Sequence, residues 1–310
     1  MEEKVEIMNL LQSKQVLEHE LQSLAYGAVE IRENNSNKYI YVHYREDGVA
    51  LTKYVGEYSD ELYNLVLNNS IKAKQLKKQI REITKKLKQL NYTEEELSEK
   101  VEQNIDFAKR HLVDTIYKQA ILEGVATTLA DTESIIEGGK VNNMTSEDIL
   151  KIVNLKHAWE FILNKNVILS DTNFALLCEI NKMVEEGFYY TAGKVRNTPV
   201  TIGGTTWKPD LPIESVIKED LEEIFIKELN DVDRAIELLL YTMKKQVFID
   251  GNKRTAVIYS NHYLISKGKG IIAIPAELTQ EFKDLLIPYY EGKDENKIKK
   301  FIKEKCYISI

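Results

Sequence analysis

The fold of this chain is decided by one short stretch, Phe248-Ile249-Asp250-Gly251-Asn252-Lys253-Arg254. Apolar residues at helical spacing precede it over 231–245 and follow it over 254–267. The pattern predicts a loop between two helices, with the first N–H groups of the second helix left without intrahelical partners. Such N–H groups, together with the positive end of the helix dipole, favour a bound anion. The stretch therefore indicates an anion site at a helix start.

The side chains of this loop suit a nucleotide held together with a metal ion. Gly251 lets the backbone approach a ligand closely or adopt a positive φ. Lys253 and Arg254 carry charges that suit phosphate oxygens, and Asp250 is a hard carboxylate of the kind that holds Mg²⁺. The alternative is an ordinary turn whose cations face solvent, and the loop by itself leaves both interpretations open.

Composition narrows the class of protein. The 310 residues are 43% hydrophobic and 29% charged, with few glycines and prolines, which predicts a soluble, mainly helical protein. A net charge of −7 gives no general attraction to nucleic acid or anionic membrane. The longest apolar runs, such as 235–243, are too short to span a bilayer, and Cys178 and Cys306 fit no metal-ligand spacing. We expect a cytoplasmic protein without membrane contact.

Residues 1–110 are predicted to form a separate N-terminal module. Residues 1–24 mix apolar and charged residues in a helical pattern. β-forming residues and turn signals then predict a three-stranded antiparallel meander. Its strands are expected at 28–31, 39–44 and 49–55, and its turns at Asn34–Asn37 and Asp47–Gly48.

A longer helical pattern covers Ser59–Leu90, and Thr93–Glu96 is a capping box that begins a further helix. Apolar residues at heptad spacing predict that the two helices form a helical hairpin, and a homodimer through the same seam is equally open. The seam comprises Leu76, Ile80, Ile83, Leu87 and Leu90, and the facing strip is expected to comprise Leu97, Val101, Ile105, Ala108 and Leu112.

The predicted sheet carries cations among tyrosines, one ingredient of a surface that binds nucleic acid. Neighbouring acidic residues weigh against strong phosphate binding. We therefore favour a docking surface for a protein partner and do not expect nucleic acid. The cations are Arg32, Lys38, Arg45 and Lys53, the tyrosines Tyr26, Tyr39, Tyr41, Tyr44 and Tyr54, and the acids Glu30, Glu33, Glu46 and Asp47.

Residues 115–310 are predicted to form a second, helical domain. Its one exception is Gly193–Pro212, where the β-forming run Val200-Thr201-Ile202 lies among glycines and prolines. Helices are expected at 148–164, 170–186, 214–228, 231–245, 254–267 and 278–290.

Three segments of this domain resemble the Fic/Doc family. The loop is similar to the family motif HxFx(D/E)GN(G/K)R, which Phe248 and Asp250–Arg254 match in place. Ala192–Arg196 with Val200, Thr201, Ile202, Gly203 and Gly204 resembles the family's flap, and Asn154–Trp159 resembles the helix that opens its core.

The resemblance implies a helical bundle with a β-hairpin flap. It also implies transfer of AMP from Mg–ATP to a Ser, Thr or Tyr hydroxyl of a target protein. Asp250 would hold Mg²⁺, and Phe248 would anchor the loop in the core. The nucleotide phosphates would be bound by Gly251, Asn252, Lys253 and Arg254. The flap would bind the target by strand addition, through main-chain hydrogen bonds.

The chain departs from the motif at the position of its catalytic histidine, which is Gln246 here. An amide cannot take the proton of the attacking hydroxyl, and loss of a general base slows transfer about 10²–10⁴-fold. The chain is thus either an attenuated or inactive AMP transferase or a catalytically dead ATP-binding regulator. Whether Gln246 is natural or introduced stays open.

A second departure is Val257, where AMP-transferring members usually carry another arginine. Members similar to Doc also lack it and phosphorylate their targets. A kinase toxin, with an antitoxin or regulatory partner, is therefore a further alternative.

The segment Ser134–Gly138 resembles the inhibitory segment (S/T)xxxE(G/N) of many Fic proteins, since Glu137-Gly138 matches, but Glu133 occupies the Ser/Thr place. By that resemblance Glu137 would block the phosphate pocket, with Arg254 or Lys253 replacing the usual partner arginine. The alternative is an exposed glutamate that precedes a glycine at a helix end.

Overall fold

The computed structural model describes residues 2–34, 37–46, 49–90, 92, 97–142 and 144–310. The chain divides into two compact units, Met1–Glu95 and Glu96–Ile310. The mainly helical architecture with one small antiparallel sheet that the sequence predicts is confirmed. No described helix combines the length and the apolar character needed to cross a membrane.

The first unit contains the predicted meander, with strands in the order β1-β2-β3. Ile40 and Val42, two residues apart on β2, point to the same side and meet Val66 of the following helix. A sheet this small depends on such a helix to cover one face. The predicted turns and the capping box include residues 35, 36, 47, 48 and 93–96, which lie outside the described residues. The elements are α1 (Glu2–Ser23), β1 (Ala28–Asn34), β2 (Asn37–Glu46), β3 (Val49–Glu57) and α2 (Asp60–Gln89).

The second unit is a helical bundle. The six helices predicted from periodicity are present within a few residues of their expected bounds, and four others, α4, α5, α7 and α13, were not specifically predicted. The helices are α3 (Glu99–Arg110), α4 (Leu112–Leu122), α5 (Leu129–Ile136), α6 (Ser146–Ile162), α7 (Lys165–Ile168), α8 (Phe174–Val184), α9 (Glu214–Ile226), α10 (Asp231–Lys245), α11 (Asn252–Ser266), α12 (Thr279–Tyr290) and α13 (Glu295–Phe301), and a short antiparallel pair joins β4 (Ile271–Ile272) to β5 (Tyr307–Ile308).

Helix α11 is the centre of this bundle, since it is buried on all sides and packs against α10, α8 and α6. Its buried polar side chains find partners within the core. Asn261 exchanges hydrogen bonds with the backbone of Ile272 at 2.8 Å. His262 lies between Thr172 and the Val167 carbonyl, and burial lowers the pKa of His262 to about 4. The helix that begins at the predicted anion site is therefore a rigid, fully packed element.

Helix α3 belongs to the second unit, whereas the sequence placed it in a hairpin with α2. Its apolar residues Val101, Ile105 and Ala108 are part of the bundle core. Its buried Asn104 donates to the Gly270 carbonyl at 3.1 Å and accepts from the Gly270 N–H at 2.9 Å. A buried amide needs such partners. The boundary therefore lies near residue 95 rather than 110.

The expected β-hairpin over Gly193–Pro212 is not formed, because no strand lies among these residues and Gly203-Gly204 is a turn. The buried Arg196 side chain gives the physical reason, since it donates to the carbonyls of Thr198 at 2.8 Å and Asp210 at 2.7 Å. Three prolines in the segment, at 199, 209 and 212, also lack the N–H that a strand ladder uses. We call residues 193–212 the flap segment.

The placement of α3 predicts the effect of Ile105→Ala. Both tryptophans, Trp159 and Trp207, lie in the second unit, so tryptophan fluorescence reports its unfolding. Because Ile105 is 5% exposed in that unit's core, we expect a loss of about 2–5 kcal/mol in the free energy of unfolding. Denaturant titration measures it, with the exposed Gln103→Ala as control. If Ile105→Ala leaves the unfolding transition detected by tryptophan fluorescence unchanged, α3 belongs to the N-terminal unit instead.

Candidate functional site

The loop between α10 and α11 is held in an uncommon backbone conformation. Gln246, directly after α10, has φ 48°, and Gly251, directly before α11, has φ 72°. A positive φ suits glycine, but it strains most other residues. Arg196 of the flap segment stabilises the Gln246 end, since its Nε donates to the Gln246 carbonyl at 2.6 Å and its N–H to the Val247 carbonyl at 2.9 Å.

Asn252 closes the loop from within. Its Oδ1 accepts from the Phe248 N–H at 3.0 Å, and its Nδ2 donates to the Phe248 carbonyl at 2.8 Å and to Gln246 Oε1 at 3.2 Å. The Phe248 side chain is fully buried in the core, as expected of an anchor. The sequence assigned Asn252 to phosphate binding, but the structure uses its amide to hold the loop.

Helix α8 supports the loop from below through Asn181, a residue that sequence reasoning missed. The buried Asn181 amide donates to the Asp250 carbonyl and to Thr255 Oγ1, both at 3.1 Å, and it accepts from the Gly193 N–H at 2.9 Å. One side chain thus joins the loop, the first turn of α11 and the start of the flap segment. Its only sequence signal was a polar residue at an apolar helical position.

An open cleft of about 460 Å³ lies over this loop. Gln246, Asp250, Asn252 and Lys253 line it together with Thr201–Gly204 of the flap segment, so the structure brings most of the predicted site residues together. Val200, Gly251 and Arg254 are not among the lining residues. The opposite wall comes from α12, with Gln280, Lys283, Asp284, Leu286, Ile287 and Tyr290.

The two cations of the loop are paired chiefly with Glu123 and Glu185, two carboxylates that the sequence did not assign to the site. Lys253 Nζ lies 3.4 Å from Glu123 Oε1, and Arg254 Nε lies 3.5 Å from Glu123 Oε2. Arg254 Nη2 lies 2.8 Å from Glu185 Oε1 and 3.5 Å from Asp250 Oδ2. The side chains of Arg254 and Glu185 are 3% and 1% exposed. Buried charges of this kind require pairing.

Glu123 therefore takes the place at the cations that the sequence assigned to Glu137, which is exposed at the end of α5. The two glutamates have the same local setting, because each ends a helix before a glycine of positive φ, Gly124 at 83° and Gly138 at 79°. The two glutamates differ in their tertiary contacts, which bring Glu123 to within 3.5 Å of Lys253 and Arg254.

Gln119, one turn before Glu123, fixes this end of α4 against α11. It donates to the Arg254 carbonyl at 2.7 Å and accepts from Trp159 Nε1 at 2.9 Å.

The electrostatics of the site are those of a cation surrounded by acids. Burial, together with the nearby Asp250 and Glu123 carboxylates, raises the pKa of Glu185 to about 7 against the opposing effect of Arg254. Two buried donors of Arg254, Nε and Nη1, have no hydrogen-bond acceptor in the described part of the chain. Buried donors in this state suit an anionic ligand with several oxygens.

Asp250 is the candidate metal ligand. Its side chain is 51% exposed at the cleft, and its Oδ1 accepts from the Gly251 N–H at 2.7 Å. Among the described residues, no cluster of three or more His, Cys, Asp or Glu side chains is able to hold a metal ion by itself. A single exposed carboxylate is the kind of protein ligand that Mg²⁺ uses together with substrate phosphates and water.

A known family model matches the part of the chain that contains the loop. Residues 171–264 match the sequence model of the Fic/DOC family. No curated protein sequence is significantly similar to the chain.

Solved structures share the fold at low sequence identity. A Fic-domain signalling protein from Bacteroides thetaiotaomicron is 19% identical, with a TM-score of 0.52 over 61% of this chain and 75% of that chain. Fic-1 from C. elegans is 16% identical, with a TM-score of 0.53 over 78% and 79% of the two chains. A Fic family protein from Desulfovibrio desulfuricans is 13% identical, with a TM-score of 0.51 over 68% and 74%.

The matched residues begin just before α8, include the flap segment and the loop, and end near the end of α11. They therefore contain Asn181, Arg196 and Asn252, the three side chains that hold the loop. The chain therefore contains a core, residues 171–264, that matches the Fic/DOC family model, and it has the fold of solved Fic-domain structures.

Proposed function

We propose that the protein binds Mg–ATP over the loop and transfers AMP to a Ser, Thr or Tyr hydroxyl of a target protein, in a form attenuated by Gln246. The observation that carries the proposal is the buried Arg254, whose Nε and Nη1 donors have no acceptor at a helix start beside an open cleft. These donors and Lys253 suit phosphate oxygens. Asp250 would hold Mg²⁺, which neutralises phosphate charge when bound.

In this reaction the target's hydroxyl oxygen forms a bond to the α-phosphorus, and the bond from that phosphorus to the β-bridging oxygen breaks. Pyrophosphate leaves, and the hydroxyl proton must pass to a base. Gln246, which stands at the position of the family's histidine, lines the cleft. Its Oε1 accepts from Asn252 and its Nε2 donates to the Met243 carbonyl. An amide in these bonds takes no proton, so we expect slow transfer.

We propose that the target binds along the flap segment by strand addition. Thr201–Gly204 line the cleft, and their backbone groups make no hydrogen bond to other backbone groups of the described residues. Such unpaired groups suit an extended segment of a second chain.

The N-terminal unit is proposed to dock a protein partner, such as an antitoxin or another regulator. Tyr54 on its sheet contacts Tyr39 and Tyr41, and Arg32 lies 4.4 Å from the Tyr41 ring centre. Arg32 is paired with Glu30 at 2.8 Å. Paired charges around aromatic rings favour a protein partner over nucleic acid.

The free cysteines Cys178 and Cys306 are compatible with the cytoplasm.

A protein kinase is the second candidate function. Val257, where AMP-transferring relatives carry an arginine for the γ-phosphate, is 2% exposed in the core. Phosphoryl transfer to a target adds phosphate mass, whereas AMP transfer adds the mass of AMP. Mass spectrometry of modified targets therefore separates the two.

Gln246→His is predicted to raise AMP transfer about 10²-fold or more, the usual contribution of a positioned base. Histidine tolerates the positive φ found at this position better than most residues, so the loop should stay folded. The measurement is incorporation of labelled ATP into lysate proteins by the parent and the variant.

Asp250→Ala in the Gln246→His background is the control for this gain. It should abolish the increase, because the phosphates would no longer be aligned. If Gln246→His binds ATP and transfers no faster than the parent, the catalytically dead regulator becomes the leading interpretation.

Glu123→Gly is predicted to tighten ATP binding about tenfold or more. The Glu123 carboxylate lies within 3.5 Å of Lys253 and Arg254, and it would repel phosphates by a few kcal/mol at such distances near a protein surface. Calorimetric titration measures the affinity.

Glu137→Gly is the matched control, since it changes the other Glu–Gly helix end without touching the two cations. Equal gains from both substitutions, or a gain from Glu137→Gly alone, would contradict the assignment of Glu123.

A further inference from the structure

Arg254 is contacted by two glutamates that lie on different sides of it. Glu123, at the end of α4, is 12% exposed and lines the cleft. Glu185, at the end of α8, is 1% exposed and is not among the cleft-lining residues. One carboxylate therefore meets Arg254 from the side that a ligand would enter, and the other meets it from within the protein.

The contact with Glu185 is the closer one and involves a single nitrogen of the guanidinium. Arg254 Nη2 lies 2.8 Å from Glu185 Oε1, whereas Nε is 3.5 Å from Glu123 Oε2. The second distance is too long for a hydrogen bond, and Nε and Nη1 have no acceptor among the described residues. A guanidinium is a rigid planar fork. The contact at Nη2 is an ion pair without hydrogen-bond geometry, since Glu185 Oε1 also has no hydrogen-bond partner among the described residues. It draws the Nη2 end of the guanidinium towards α8 and leaves Nε and Nη1 for another acceptor.

Glu185 also packs directly beneath the loop. A Cβ placed on Gly251 would lie 2.3 Å from Glu185 Oε1 and 3.0 Å from its Cγ. The Glu185 side chain thus fills the space that the missing Gly251 side chain leaves, where φ is 72°. One turn earlier on α8, Asn181 bonds to the Asp250 carbonyl. The last turn of α8 therefore supports both the loop backbone and the Arg254 side chain.

We propose that Glu185 is a positioning residue for phosphate binding, which holds the Arg254 guanidinium in the orientation that receives the nucleotide phosphates. Glu123 has the opposite effect, because it occupies the side of Arg254 that the phosphates need. The inference rests on the proposed nucleotide site. The two carboxylates on Arg254 therefore have opposite effects on phosphate affinity. Loss of Glu123 strengthens phosphate binding, and loss of Glu185 weakens it.

The test measures the affinity of ATP with Mg²⁺, and of adenosine, for full-length protein carrying Glu185→Ala or Glu185→Gln. Both are introduced into the wild type and into Glu123→Gly. We expect Glu185→Ala to weaken ATP binding about tenfold or more, because a buried charge loses its partner, and to leave adenosine binding unchanged. Glu185→Gln should give a smaller loss, since it fills the same space without the charge.

The Arg254→Ala background tests whether Glu185 acts through Arg254. With Glu185→Gln as the second change, the test does not require Glu185→Ala to fold. If Glu185 acts through Arg254, Glu185→Gln should change ATP affinity in the presence of Arg254 and have no effect in Arg254→Ala. Circular dichroism and thermal melting check the fold of each variant.

Three results would overturn the inference. The first is that folded Glu185 variants bind ATP as tightly as their parents. The second is an equal loss of ATP and adenosine binding, which indicates a purely structural role for Glu185. If neither the wild type nor Glu123→Gly binds ATP, the nucleotide site itself fails and the inference fails with it. ATP binding that is insensitive to Glu185 refutes the inference alone.

Discussion

The burial of one positive charge, on Arg254, is the constraint on which the site depends. A guanidinium that is 3% exposed needs negative partners close by, because an unpaired buried charge costs several kcal/mol. Those partners come from the ends of two helices, Glu123 of α4 and Glu185 of α8. The packing of α4 and α8 around the start of α11, through apolar residues of the core, thus places both carboxylates against this cation. The same packing leaves two of its donors for an anion.

Around that cation the loop is held by side chains whose hydrogen bonds go mainly to its backbone groups. Asn252 holds the loop from inside, Asn181 from α8, and Arg196 from the flap segment. None of these bonds depends on a histidine at position 246. Under the proposed function, a chain with Gln246 keeps the arrangement for binding phosphates while lacking the group that would accept a proton. The proposal therefore separates nucleotide binding from catalysis.

Periodicity predicted the elements whose environment is decided locally. The helices at 231–245 and 254–267 were expected because their apolar residues repeat every three to four positions, and the loop between them followed. Local pattern failed where two segments share a signature. Glu123-Gly124 and Glu137-Gly138 end helices in the same way, and the apolar stripe of α3 suits either core. Gln119 holds the end of α4 beside Arg254, and Asn104 holds α3 beside Gly270. Both bonds join residues more than a hundred positions apart in the chain. Asn181 gave only the weak signal of a polar residue at an apolar helical position, and Glu185 gave none, because their partners are distant in the chain.

The most direct test of the account is a calorimetric titration of the wild-type protein with ATP, in the presence and absence of Mg²⁺, repeated with Arg254→Ala. The account predicts binding in the range of about millimolar affinity or tighter, strengthened by Mg²⁺ through Asp250 and weakened about tenfold or more when Arg254 is removed. Absence of binding at millimolar ATP with Mg²⁺, or equal binding by Arg254→Ala, would contradict the claim that this buried arginine receives nucleotide phosphates.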